Sequence, residues 1–331
     1  MSEAQFYMPT LGELLDKELQ PREHLITPWL RQGESAMIYA PTGVGKSMFA
    51  LSLALAVAGG GQFMEWKSPR PRRVLFVDGE MHLEDTQARA RLLLPSISGY
   101  DPALIRENFR LLARQAQAPD VPFPNLAEPE GRKIMEQGAK GFDLVVLDNL
   151  STLATVEDEN SVAAFQPILQ FLMRMKQLGK ACILIHHTGK GKDTYRGSSM
   201  LATTFEVILG LEALGGMRAA HGTAFRLKWD KYRGQKDESV RSWEAWLEGG
   251  TWKWEVSKHE EVDLLVAEVR TGEYSTQKGL AEALGWDTSK VSRLKQQALS
   301  LGKIKEGEWS RLLGEARGGY HKERVQEEPD F

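Results

Sequence analysis

The stretch Ala40-Pro-Thr-Gly-Val-Gly-Lys-Ser47 follows the apolar run Ser35–Tyr39 and precedes a long alanine- and leucine-rich segment. This order, strand then glycine loop then helix, is what a phosphate-cradling loop requires. Its backbone N–H groups surround an anion at a helix N-terminus, and its glycines allow close approach and a tight turn. Pro41, Thr42, Gly43, Val44 and Gly45 form the expected cradle, and Lys46, Ser47 and Met48 open the helix. Lys46 is the candidate for the β- and γ-phosphates of ATP, and the Ser47 hydroxyl the candidate Mg²⁺ ligand. Ala stands at the first position, where glycine is usual, and is expected to be tolerated there.

Two further apolar strands end in acids. Leu144-Val-Val-Leu-Asp148 supplies Asp148 as a second Mg²⁺ ligand, and Val74-Leu-Phe-Val-Asp-Gly-Glu80 supplies Glu80 to polarise the attacking water. A third strand, Ile183-Leu-Ile-His-His187, ends on paired histidines. Adjacent side chains on a strand point apart, so metal ligation by the pair is disfavoured. His187 is the candidate phosphate sensor and His186 a structural neighbour.

The 331 residues are 42% hydrophobic and carry a formal net charge of -3. That composition supports one large core plus a small domain and gives no bulk attraction for nucleic acid. The single cysteine, Cys182, excludes an intrachain disulfide and reads as a buried strand position. No apolar run is long enough to span a bilayer, and no secretory pattern opens the chain. A cytoplasmic protein with no membrane contact is expected.

Short apolar strands alternating with helices predict an α/β fold with a mostly parallel sheet covered on both faces. The later strands, at 207–211, 223–229, 240–247 and 251–256, lack intervening helices and predict an antiparallel extension. The domain reading is an ATPase core over 1–256, with 1–34 as lead-in, a small domain over 257–315 and a polar tail over 316–331. Within the small domain, three helical patterns (260–271, 276–284, 288–301) and a hairpin at 302–309 predict a winged helix-turn-helix. Val291, Leu294, Ala298 and Leu301 are its expected buried stripe. Lys290 and Arg293 on the third helix and Lys303 and Lys305 in the wing are candidate DNA contacts. The module's many acids leave docking of a protein partner as an alternative.

In combination, the glycine loop, Asp-Gly-Glu, LVVLDNLS, LIHHTGK and YRGSS resemble the RecA-like, KaiC-like P-loop ATPases, in particular the RepA-like plasmid replicative helicases. The resemblance covers about residues 20–250. It implies a RecA-like core and a homo-oligomeric, hexameric ring that hydrolyses ATP at subunit interfaces and moves single-stranded DNA in replication. It also implies Glu80 as catalytic base and His187 as sensor. Lys231-Tyr-Arg233-Gly resembles the basic element reaching a neighbour's site, with Arg233 as arginine finger and Lys231 its companion. The loop over 188–199 would face the ring channel, with Lys190, Lys192 and Arg196 on the DNA backbone and Tyr195 stacked on a base. Arg196 fits the ATP site as well. Two other classes compete: an ATP-switched DNA-binding regulator or recombination accessory, and a ring held together by ATP without hydrolysis. Glu80 and Asp148 argue against the second.

Overall fold

The computed structural model describes residues 6–155, 162–188, 203–214, 223–234, 240–257 and 259–315. By contacts the chain divides into two compact units, Met1–Glu255 and Val256–Phe331.

The first unit opens with the short helix α1 (Leu11–Asp16) and the hairpin β1 (His24–Ile26) and β2 (Leu30–Arg31). Strand β3 (Ser35–Ala40) leads into helix α2 (Lys46–Gly59), and two short strands follow, β4 (Gln62–Phe63) and β5 (Trp66–Lys67). Next come β6 (Val74–Asp78), α3 (Leu83–Leu93), β7 (Ile97–Ser98), α4 (Pro102–Asn108) and β8 (Phe109–Ala113). Helix α5 (Pro129–Gly138), β9 (Leu144–Asp148), α6 (Leu150–Leu153), α7 (Val162–Gln177) and β10 (Ala181–His187) complete the alternating part. Strands β11 (Val207–Ala213), β12 (Ala224–Tyr232), β13 (Trp243–Glu248) and β14 (Thr251–Val256) close the unit.

Nine strands form one sheet in the order β14-β13-β12-β11-β3-β10-β9-β6-β8. From β8 to β11 all neighbours are parallel. The β11–β12 and β12–β13 pairs are antiparallel, as the helix-free spacing predicts. Strand β8 was not legible in the sequence. Phe-Arg-Leu-Leu-Ala has no alternation, and the strand lies at the sheet edge, where one side needs no covering.

The central strands are buried along their length because helices cover both faces. Helix α2 is buried almost throughout, so its apolar residues surround it rather than form a stripe. Phe49 on α2 packs against Phe63, Trp66, Phe225 and Trp252, with ring centroids 5.4–6.5 Å apart. The indole of Trp252 donates to Ser52 Oγ at 2.9 Å, which satisfies the one polar side chain buried on that helix face. Cys182 is fully buried, as expected, and burial pushes its thiol up to about 12. No helix among the described residues is long and apolar enough to cross a membrane.

The second unit contains helices α8 (His259–Arg270), α9 (Gln277–Ala283), α10 (Thr288–Ser300) and α11 (Glu306–Glu315). The first three match the expected helical patterns, and a four-residue turn separates α9 from α10. The expected wing does not: the second part of 302–309 is the start of a helix, and no strand occurs among the described residues after Val256. Gly302, at φ +65°, ends α10, and Glu306 and Glu308 lie in the first turn of α11, where acids suit the helix dipole. Trp309 fills the unit's core beside Ile304, with Leu312 and Leu313 one turn on. Arg270 bonds Glu308 at 3.1 Å and Lys295 bonds Glu306 at 2.6 Å, which fastens α11 to α8 and α10.

Val291, Leu294 and Ala298 are buried as expected, but Leu301 is 43% exposed, because it is the C-cap residue from which the chain turns away. Two expected outcomes follow. Asp287 caps α10 by accepting from Lys290 N at 2.7 Å, so Asp287→Ala should lower the midpoint of chemical denaturation. Leu301→Ser should stay within about 0.5 kcal/mol of the parent in the same measurement.

Candidate functional site

The parallel strands bring their C-terminal ends together. Asp78 pairs with Asp148 across β6 and β9, and His187 pairs with Ala40 across β10 and β3. Ligands of open α/β sheets sit at this end. A cleft there is lined by Thr42, Gly45, Lys46, Ser47, Glu80 and Asp148, together with Arg89, Asn149, His187 and Thr223.

The glycine loop has the required backbone. Gly43 has φ +85° and Gly45, the N-cap of α2, has φ +109°. A Cβ on Gly45 would lie 2.2 Å from Thr223 Cγ2, so conformation and space both demand glycine there. Ala40 is the last residue of β3 and is fully buried. Among the described residues only Met64 is a non-glycine with positive φ, so the Ala40 Cβ strains nothing. Gly45→Ala should therefore abolish the thermal stabilisation given by Mg·ATP, whereas Ala40→Gly should retain it.

Lys46 is buried, and its Nζ donates to the carbonyls of Ala40 and Pro41, each at 2.8 Å. Burial lowers its pKa to about 8, against the opposing pull of Asp148 and Glu80. Asp148 is buried too, which pushes its carboxyl up to about 6; the Ser47 hydrogen bond holds it down, the Asp78 charge raises it, and Lys46 and Arg89 lower it. A buried carboxylate hydrogen-bonded to the first-turn serine is the donor set expected for a divalent cation beside a bound phosphate. These residues fit Mg·ATP.

The two pKa values set a pH window. Below about 6 Asp148 gains a proton and stops acting as an anion, and above about 8 Lys46 loses its charge. Mg·ATP affinity should be highest between them. A fluorescent-nucleotide titration against pH checks this, and Asp148→Asn should remove the acid limb.

The two acids at the end of β6 divide their work. Asp78 is buried and accepts from the backbone N–H groups of Glu80 and Met81, both at 2.9 Å. It shapes the turn and leaves Glu80 facing the cleft. Glu80 Oε2 accepts from Asn149 Nδ2 at 3.0 Å, and Asn149 Oδ1 accepts from Thr152 N at 3.3 Å, capping α6. Gly79 leaves no room for a Cβ beside Thr152. Thr42 Oγ1 lies 3.5 Å from His187 Nδ1, and His186 packs edge-on to Phe165 inside the core.

Sequence reasoning missed Arg89 and Thr223. Arg89 sits nine residues past Glu80 on α3 and is visible only once that helix is laid over the cleft. Thr223 lies just before β12, far along the chain.

Lys231 and Arg233 are not brought to this cleft. Strand β12 runs from Ala224, next to Thr223 at the cleft, to Tyr232, which pairs with Val207, itself paired with Ala36 at the start of β3. The nine residues of β12, about 30 Å of strand, separate Arg233 from Thr223 and the phosphate loop beside it. There its guanidinium bonds Glu206 at 3.3 Å and the Thr203 carbonyl at 2.6 Å. Lys190, Lys192, Tyr195 and Arg196 lie outside the described residues. In the second unit Lys290 pairs with Glu261 at 2.8 Å and lies over the Trp286 ring, and Lys303 pairs with Asp263. Arg293 and Lys305 are exposed.

With this geometry in place, comparison with known proteins gives a family. The AAA_25 model, described as an AAA domain, matches residues 3–193. The chain belongs to this AAA-domain family. A solved structure, the KaiC-like protein of the hyperthermophilic archaeon Pyrococcus horikoshii OT3, is similar to the chain with a TM-score of 0.50 at 14% identity. The similarity covers 71% of this chain and 99% of that one, and it shows a shared fold. The AAA-domain protein described here is thus a nucleotide-binding P-loop protein with a RecA-like α/β core.

Proposed function

We propose that this protein is an ATP-hydrolysing DNA helicase or translocase of replication, which works as a homo-oligomeric, hexameric ring. The observation that carries hydrolysis is Glu80, held by Asn149 over the cleft that also contains Lys46, Ser47 and Asp148. Lys46 binds the β- and γ-phosphates, and Ser47 and Asp148 hold Mg²⁺. The metal, when bound, neutralises charge on the phosphate oxygens. Glu80 accepts the proton of the water that attacks the γ-phosphorus, while the bond to the ADP oxygen breaks. Thr42 and His187 together report the γ-phosphate to the chain beyond residue 188. Lys231 and Arg233 act on a neighbour's nucleotide, since their own phosphate loop lies about 30 Å away. Lys190, Lys192, Tyr195 and Arg196 follow the sensor strand directly and would carry single-stranded DNA.

A second reading, an ATP-switched DNA-binding regulator, is favoured by the helical C-terminal unit. Ser289, Ser292, Arg293 and Gln296 share the exposed side of α10. Against it, Lys290 and Lys303 are neutralised by acids of α8. Strand displacement on forked DNA with ATP separates the two. Unwinding supports the helicase; DNA-stimulated hydrolysis without unwinding sinks it and leaves the translocase or the regulator.

A further inference from the structure

The amino-terminal arm is unusual in what it leaves at water. Phe6, Tyr7, Met8, Leu11, Leu15 and Leu19 are 64–81% exposed, and α1 buries no residue. So many large apolar side chains in one short segment mark a contact surface. The helix is nevertheless built: Thr10 and Glu13 form a capping box, with Thr10 N donating to Glu13 at 2.7 Å and Glu13 N donating to Thr10 Oγ1 at 3.3 Å. A six-residue helix is marginal in water, so the cap prepares a shape that becomes useful on binding. Leu11, Leu14 and Leu15 share one stripe by their spacing. Glu13, Asp16 and Glu18 against Lys17 make the arm acidic.

A groove of the opposite character lies between α5 and α7. Leu178 gives it an exposed apolar floor above the buried Met175, and Lys133, Lys140, Arg174 and Lys180 rim it, Arg174 paired with Glu136 and Lys133 with Glu130. Leu178 is 42% exposed in it. We propose that residues 6–19 of one copy dock in the α5–α7 groove of a second copy, leucines on the apolar floor and carboxylates on the basic rim. Complementary charge at a rim sets partner and register, and the apolar floor supplies the affinity. The inference rests on the oligomeric reading above and names the contact that holds it.

The test is sedimentation of the full chain with Mg·ATP. Asp16→Lys with Glu18→Lys, which spares the cap, should weaken association by about tenfold, as should Lys133→Glu with Lys180→Glu. Mixing or combining the two reversals should restore it. Unchanged association in either variant overturns arm docking but leaves the ring; a monomeric parent chain overturns both. A second measurement covers fold-back. Leu15→Cys and Leu178→Cys on separate chains should cross-link when mixed, and buried Cys182 does not compete. Cross-linking only when both cysteines share one chain, at a rate independent of concentration, places the arm in its own groove and overturns the proposal.

Discussion

Glu80→Gln should lower ATP turnover by roughly 100- to 10,000-fold while Mg·ATP still binds. The amide keeps the size of the side chain and can still meet Asn149, but it no longer takes a proton from water. The loss corresponds to about 3–5 kcal/mol of barrier. Because Lys46, Ser47 and Asp148 are untouched, the dissociation constant should change by less than about threefold, on the scale of a surface substitution. Asp78→Asn is the informative contrast. Asp78 faces backbone N–H groups and not the cleft, so its loss should disturb the turn and weaken kcat through Glu80's position. Asn149→Ala should also lower kcat, since Glu80 loses the donor that orients it. Steady-state hydrolysis and nucleotide titration on the same preparations check all three.

Arg233→Ala should cost roughly a thousandfold or more in kcat, the range seen when a positive charge is removed from a developing γ-phosphate charge. Affinity for ATP should fall far less, because the charge matters most in the transition state. The distance along β12 makes this prediction specific. A residue about 30 Å from its own phosphate loop affects hydrolysis only if a neighbour brings it to a nucleotide. Within its own chain Arg233 is bound to Glu206 and the Thr203 carbonyl, so its removal also frees Glu206, which still accepts from Ser35 N and Lys176. Those two contacts should keep the start of β11 in place, and the thermal midpoint of Arg233→Ala should stay close to the parent.

The cleft was more legible than the rest of the molecule. Local sequence specifies the glycine loop, because the conformation at Gly43 and Gly45 leaves few alternatives. Asp148 and Glu80 were legible because an apolar strand with an acid at its tip is a short-range pattern. The partners that hold them were harder. Asp78 and Glu80 are both acids at the end of one strand, and the turn geometry shows which carboxylate braces the backbone and which faces the cleft. Arg89 and Thr223 depend on helix and strand placement far from the loop.

The C-terminal unit misled for a different reason. Gly302-Lys-Ile-Lys-Glu-Gly-Glu contains two glycines and reads as a turn. The helical spacing of Trp309, Leu312 and Leu313 becomes decisive only with the core they fill. Likewise Lys290 and Lys303 look available to DNA until α8 presents Glu261 and Asp263 to them. The short edge strand β8 carries too little pattern to be read at all.

The most direct test mixes two inactive variants under conditions of subunit exchange. Lys46→Ala retains Arg233 but cannot hold phosphate, and Arg233→Ala retains an intact cleft but offers no charge to its neighbour. The expected result is recovery of ATP hydrolysis in the mixture, rising with the fraction of boundaries that pair an intact cleft with an intact arginine. No recovery at any ratio, with exchange verified by labelled subunits, would contradict hydrolysis at subunit boundaries.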